Sequence, residues 1–130
     1  MGDRYLPLLG PWRLMLTKHQ TTTPEYPDPT RSETHAWSAH PAYDFVTVLA
    51  GIRPDAPGFA KVRIAPNLGS LTSLDVSMPA PQGAVETIYR KSANGVDATI
   101  TLPAGLPGSF VWKGKSYPLK SGKQELHLQD

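Results

Sequence analysis

At 130 residues the chain has the length of one ordinary domain, or of a short piece of one joined to a second, and it is long enough to bury a core. Its formal charge of +2 is small and unclustered, with four Lys or Arg against five Asp or Glu in residues 1–50 and nine against six in 51–130. No basic stripe interleaved with aromatics is present, so no nucleic acid is expected as a partner, and the lack of cysteine excludes disulfides, thiolate metal sites and a cysteine nucleophile.

The opening MGDRYLPLLGPW has no apolar run of signal-peptide length, and no later segment approaches the roughly 20 apolar residues that span a bilayer, so no membrane partner is expected. The compartment stays open between cytoplasmic and secreted. Fourteen prolines and eleven glycines favour short elements joined by tight turns.

Leu6, Leu9, Trp12, Leu14 and Leu16 recur at helical spacing around Gly10-Pro11, and the spacing predicts a short helix over 11–19 with Pro11 in its first turn. Residues 21–31 read as an irregular but stiff loop, because Pro24, Pro27 and Pro29 each remove a donor and push the preceding residue out of the helical region. A second helix is expected over 39–50, with Ser38 as N-cap, Pro41 in the first turn and Gly51 as stop. Ala42, Phe45, Val46 and Leu49 fall at i, i+3, i+4 and i+7 and give it one apolar face.

Beyond Ile52 the period changes to that of strands. Seven runs are expected, over 61–65, 73–78, 84–91, 96–102, 109–113, 116–119 and 124–129, with Asn94-Gly95 and Lys113-Gly114-Lys115 as hairpin turns. Val96, Ala98, Ile100 and Leu102 alternate with Asp97, Thr99 and Thr101, as in a strand with one buried face. The fold class expected is mainly β, an antiparallel β-sandwich preceded by one or two α-helices.

Polar chemistry concentrates in 21–40, TTTPEYPDPTRSETHAWSAH, which places Glu25, Arg31, His35, Trp37 and His40 in one proline-rich run. On residue type alone Glu25 reads as a solvated loop carboxylate, Arg31 as the partner of Glu33 or Asp28, His35 as a histidine satisfied by backbone, and Trp37 as core. His35 and His40 lack a third ligand at metal spacing, and no nucleophile elbow surrounds Ser32 or Ser38. Tyr89, Trp112 and Tyr117 read first as strand packing and second as a carbohydrate platform.

The run PTRSETHAWSAHPAYDFVTVLAGIRPDAPGFAKVRIAPNLG resembles the end of the catalytic barrel of α-L-rhamnosidases, glycoside hydrolase family 78, passing into their C-terminal β-sandwich. The resemblance covers roughly 5–102; the last 25 or so residues are similar only in being strand-like. It implies that 1–52 are the last helices and active-site loop of an (α/α)₆ barrel and 53–130 the sandwich domain. It further implies that Glu25 is the general base of an inverting hydrolase, that His35 contacts the sugar and that Trp37 is pocket wall or packing. From its chemistry Arg31, or a hydroxyl such as that of Thr22, reads as the substrate-site helper that holds Glu25 ionised, and no cofactor or metal is expected. Thr34 and Thr23 depart from the family's usual Cys and its usual apolar neighbour of the base.

The partners so implied are a rhamnose-containing glycoside or polysaccharide and either an upstream helical barrel carrying the general acid or a second copy of the chain, docked on the apolar face of Phe45, Val46 and Leu49. The 130 residues alone are expected to be inactive. Two other functions compete with this one: a non-catalytic sandwich that binds carbohydrate or packs on a neighbouring domain, and the tail of another (α/α)₆ enzyme such as a glycoside phosphorylase.

Overall fold

The protein is described by a computed structural model covering residues 2–129. A short helix α1 (Gly2–Tyr5) runs through a 3₁₀ turn (Leu6–Leu9) into α2 (Gly10–Thr17), which has Pro11 in its first turn as the sequence predicts. The helix ends two residues before the expected limit. Lys18 donates its N–H to the Leu14 carbonyl at 3.0 Å, and His19 turns left-handed at φ 55°. Two minimal strands, β1 (Tyr26–Pro27) and β2 (Thr30–Arg31), then form a hairpin within the proline-rich loop.

The helix expected over 39–50 is replaced by three turns of different pitch: a 3₁₀ turn (Ala36–Ala39), α3 (Pro41–Asp44) and a π turn (Phe45–Leu49) closed by the Ala50 N–H on the Phe45 carbonyl at 2.9 Å. Pro41 explains the first break, since a residue without an N–H starts a helix more readily than it continues one. The wide last turn accommodates the burial of Thr47, Leu49 and Ala50.

The apolar face expected to stand open is covered. Leu49 is fully buried, Val46 packs on the core, and Phe45 meets the Tyr5 ring edge-on at 6.3 Å. Self-association through Phe45, Val46 and Leu49 therefore loses its basis. Among the described residues of this part, the large apolar side chains left exposed are Leu8, Leu14, Leu16, Tyr26, Trp37 and Tyr43.

The remainder is a two-sheet sandwich. Its strands are β3 (Ile52–Pro54), β4 (Val62–Ile64), β5 (Ser73–Ala80), β6 (Gly83–Ser92), β7 (Gly95–Leu102), β8 (Gly108–Trp112), β9 (Lys115–Leu119) and β10 (Gly122–Gln129). One sheet has the order β10-β7-β6-β5 and is antiparallel throughout. The other has the order β3-β4-β8-β9, and its central pair β4 and β8 is parallel, so the expected sandwich is antiparallel in one sheet and mixed in the other. All seven expected strands are present within a few residues, and β3 is an eighth.

Val96, Ala98, Ile100 and Leu102 all point inward, as their alternation predicts, and join Ile52, Val62, Ile64, Val85, Tyr89 and Phe110 in one core. Each such large side chain, once buried, contributes roughly 1.5–3 kcal/mol. The β8–β9 turn has both Lys113 (φ 46°) and Gly114 (φ 80°) left-handed, the geometry that suits the twist of a two-residue hairpin. The β6–β7 turn departs from expectation by one residue. Ser92 pairs with Gly95, so Ala93 and Asn94 make the turn, and Gly95 is a ladder residue that a side chain would push into the Leu128 carbonyl.

Helical turns and sandwich are joined at Ala50 and Gly51. Tyr89, fully buried on β6, donates its hydroxyl to the Ala50 carbonyl at 2.9 Å, and burial lifts the phenol far above the ordinary tyrosine range, so it stays a donor. Gly51 is left-handed at φ 75°, and a Cβ there would lie 2.0 Å from the Ala65 oxygen. Tyr89→Phe, which keeps the ring and removes the donor, is expected to cost about 1–3 kcal/mol in urea unfolding with an unchanged m-value. Gly51→Ala should cost more, because both backbone conformation and space oppose it.

The proline-stiffened loop and its relatives

The loop from Thr21 to His40 is held by backbone and hydroxyl groups at both ends. The His35 N–H donates to the Thr23 carbonyl at 2.7 Å, and the Thr23 hydroxyl answers on the His35 carbonyl at 3.2 Å. Thr22 Oγ1 donates to the Glu33 carbonyl. Ser38, expected as an N-cap, lies instead within the 3₁₀ turn and is buried, its Oγ within 3.1 Å of the carbonyl oxygens of Thr23, Pro24 and His35. The Trp12 indole N–H reaches the Ser38 carbonyl at 2.6 Å and ties α2 to the same knot. Ser38 and Trp12 carry no signal in sequence for this role, because it depends on carbonyls brought together by the loop's closure.

A two-residue hairpin has little stability of its own. Lys18 holds its tip through Asp28 at 2.6 Å, and Gln20 Nε2 donates to Thr30 Oγ1 at 2.8 Å. Glu25 anchors its base: the backbone N–H lies 3.1 and 3.0 Å from the Arg31 and Ser32 carbonyls, and the carboxylate takes both arms of the Arg31 guanidinium, Nε at 2.8 Å and a terminal nitrogen at 2.5 Å. The Glu25 side chain is 16 % exposed against 62 % for Arg31, whose guanidinium also lies 4.7 Å over the Tyr26 ring. Arg31 thus pairs with Glu25 and not with Glu33 or Asp28. The hydrogen-bonded guanidinium is the main reason the Glu25 carboxyl titrates below the usual range, and His35 adds a smaller pull.

His35 bonds through Nδ1 to Ser32 Oγ at 2.9 Å, and its ring lies 4.6 Å from that of Trp37, tilted by 43°. Trp37 is 62 % exposed and not part of the core. The loop therefore carries Glu25, Arg31 and His35 close enough for their charges to interact, with Trp37 against His35. His40 goes elsewhere, to Asp44 at 2.7 Å and edge-on to Trp12, and Asp44 also accepts the Tyr5 hydroxyl at 3.0 Å. A cavity of about 530 Å³ adjoins the loop and is lined by Lys18, Gln20, Thr21, Thr22, Thr30 and Glu33 among others. Glu25, Arg31, His35 and Trp37 do not line it. Among the described residues no three His, Asp or Glu converge as a metal site.

Fold and loop together define a β-sandwich domain fronted by helical turns and a carboxylate-bearing loop. Residues 51–126 match the family described as bacterial alpha-L-rhamnosidase C-terminal domain, which is more than half of the chain, and the chain belongs to that family. The match extends well past 102, into the strands that the sequence resemblance left out.

An alpha-L-rhamnosidase of Alteromonas sp. (strain LOR) is 32% identical over 68 residues, 52% of this chain and 7% of that protein. The fold is similar to the native rhamnosidase of Aspergillus terreus, with a TM-score of 0.79 at 20% identity over 92% of this chain and 16% of that one. It is also similar to the Streptomyces avermitilis alpha-L-rhamnosidase complexed with L-rhamnose, with a TM-score of 0.75 at 20% identity over 89% and 14% of the two chains. The chain thus spans a small fraction of the length of each of these relatives.

Replacing Arg31 by Gln is expected to return the Glu25 carboxyl toward its ordinary pKa, read by carbon-detected NMR titration of the Glu25 side chain. Because the folded-state pKa is the lower one, the pair stabilises the fold above the unfolded-state pKa. That contribution fades as pH falls through the folded value, so wild type and Arg31→Gln should converge in stability on acidification.

Proposed function

We propose that the chain is the C-terminal part of an inverting hydrolase acting on α-L-rhamnosides, with 1–52 contributing the last helical turns and one active-site loop of the catalytic domain and 53–130 forming its sandwich. The observation that carries this reading is the rhamnosidase C-terminal domain beginning at residue 51, preceded by a loop in which a carboxylate, a guanidinium and an imidazole are clustered. In it Glu25 is the general base, Arg31 keeps it ionised, His35 binds sugar hydroxyls, and Trp37 offers an apolar face to the methyl group of a 6-deoxy sugar.

An inverting mechanism needs a carboxylate to take a proton from water on one sugar face and a protonated acid about 6.5–9.5 Å away on the other. The depressed pKa of Glu25 favours the ionised form that the base role requires, although it also lowers the proton affinity of the carboxylate. Each oxygen holds one hydrogen bond from Arg31 and keeps a second lone pair for the water. The acid then comes from a helical domain packed on this chain. The exposed Leu8, Leu14, Leu16 and Tyr43 support such a contact, since all lie in the helical turns.

The reading is tested in two arms. In an enzyme that joins this chain to a helical catalytic domain, Glu25→Gln should lower turnover of an aryl rhamnoside by about a hundredfold or more, the scale of a lost general base. Activity within tenfold of the parent would refute the assignment. The 130 residues alone should show no turnover, and measurable hydrolysis would refute the division of the site.

A further inference from the structure

Ser32 is left-handed at φ 51°, a conformation that a residue with a Cβ seldom adopts and that the surrounding structure must enforce. Its carbonyl accepts the Glu25 N–H at 3.0 Å, and its hydroxyl lies 2.9 Å from Nδ1 of His35. One residue thus sets the spacing between the backbone of the proposed base and the imidazole of the proposed sugar contact.

The backbone of His35 is fixed independently of its ring. Its N–H is on the Thr23 carbonyl at 2.7 Å, and its carbonyl takes the hydroxyls of Thr23 at 3.2 Å and Ser38 at 2.9 Å. What remains is rotation about the two side-chain torsions, which the Trp37 ring, 4.6 Å away, and the Ser32 hydroxyl restrict. Nε2 has no partner among the described residues.

A neutral imidazole donates from one nitrogen and accepts at the other, and the partner of one decides the role of the other. His40 and His127 meet carboxylates through Nδ1, those of Asp44 and Asp97, each at 2.7 Å. A carboxylate only accepts, so it keeps a ring proton on Nδ1. A hydroxyl can give its own proton instead, and Ser32 Oγ has no other acceptor among the described residues.

We propose that Ser32 is a positioning residue: its hydroxyl donates to Nδ1 of His35, keeps the ring proton on Nε2 and so presents Nε2–H as a hydrogen-bond donor to an oxygen of the sugar. That the oxygen belongs to a sugar rests on the function proposed above; the tautomer does not. The turn alone does not call for serine, because glycine adopts a left-handed φ at less cost. Ser32 is also exposed, so removing its side chain leaves no cavity. Ser32→Gly therefore separates the hydroxyl from the backbone conformation.

Long-range proton–nitrogen correlation spectra of the histidine rings in the whole chain test it, recorded at a pH above the titration of all four rings, with His35 assigned by its loss in His35→Gln. His35 is expected as the Nε2–H tautomer and His40 as the Nδ1–H one. In Ser32→Gly the His35 pattern should move to that of mixed tautomers, with thermal unfolding near that of the wild type. Ser32→Asp, which tolerates the same φ and can only accept, should turn His35 to the Nδ1–H pattern of His40. In an enzyme that joins this chain to a helical catalytic domain, Ser32→Gly should raise KM for an aryl rhamnoside roughly fivefold, the scale of one hydrogen bond, and change kcat less. An Nδ1–H tautomer of His35 in the wild type, a His35 pattern unmoved in Ser32→Gly, or an unchanged KM would each overturn the proposal. Undiminished turnover of Glu25→Gln beside a shifted tautomer would instead strike the base assignment and leave Ser32 in this role.

Discussion

The contact on which the rest depends is small: the backbone of Ala50 and Gly51 laid against Tyr89 and Ala65. Gly51 must be left-handed and bare for the chain to leave the π turn and enter β3, and the Tyr89 hydroxyl satisfies a carbonyl that the same closure buries. Asn67 completes the joint, its N–H on the Leu49 carbonyl at 2.9 Å and its side-chain amide on the Val48 carbonyl at 3.1 Å. An unpaired carbonyl here would be expensive, since no water replaces the partner it loses. The helical turns are thereby attached to the sheets by directed bonds as well as by the apolar contacts of Val46 and Leu49. Directed bonds set orientation in a way that apolar contact alone does not.

From that joint the loop inherits its position in two steps. α3 and the π turn continue backward into the 3₁₀ turn, whose Ser38 gathers three carbonyls of the loop, and Trp12 fixes the same turn from α2. Prolines at 24, 27 and 29 restrict what remains. The carboxylate of Glu25 therefore sits on a segment with few soft dihedrals although it belongs to no long helix or strand. A stiff loop of this kind can hold a reacting group without a surrounding barrel of its own.

Much of this was legible in the sequence where physics is local. Strand alternation in Val96 to Leu102, the Lys113-Gly114 turn and the start of α2 at Gly10-Pro11 follow from side-chain period, positive φ and a missing N–H, and the structure has them. Most of the departures involve partners distant in sequence. No local pattern says that β4 lies parallel to β8, or that Gly95 is glycine because the Leu128 carbonyl approaches it and not because of a turn. The amphipathic spacing of 42–49 suggests one helix. Pro41 and the burial of Thr47 with Leu49 and Ala50 instead produce three turns, and the apolar face is spent on the sheets. At the loop, Glu25 and Arg31 are legible as a possible pair only among several. The hairpin register that sets Tyr26 opposite Arg31 decides between them.

The distribution of unburied apolar surface completes the picture. Among the described residues Ile88 is the large exposed apolar side chain of the two sheets, whereas Leu8, Leu14, Leu16, Tyr26, Trp37 and Tyr43 all stand in the helical turns and loop. A sandwich closes its core with its own two inner faces and has no further need of a cover. Helices of four to eight residues cannot do the same, because α2 buries Met15 and leaves Leu14 and Leu16 outside. Short helices of this kind gain their stability from packing more than from propensity, and here the sheets supply that packing on one side only. The loop with Glu25 and His35 lies in this half-covered region, fixed from behind by the joint at Gly51 and the knot at Ser38. A polypeptide built this way is rigid at the loop that carries Glu25 and leaves apolar side chains uncovered around it.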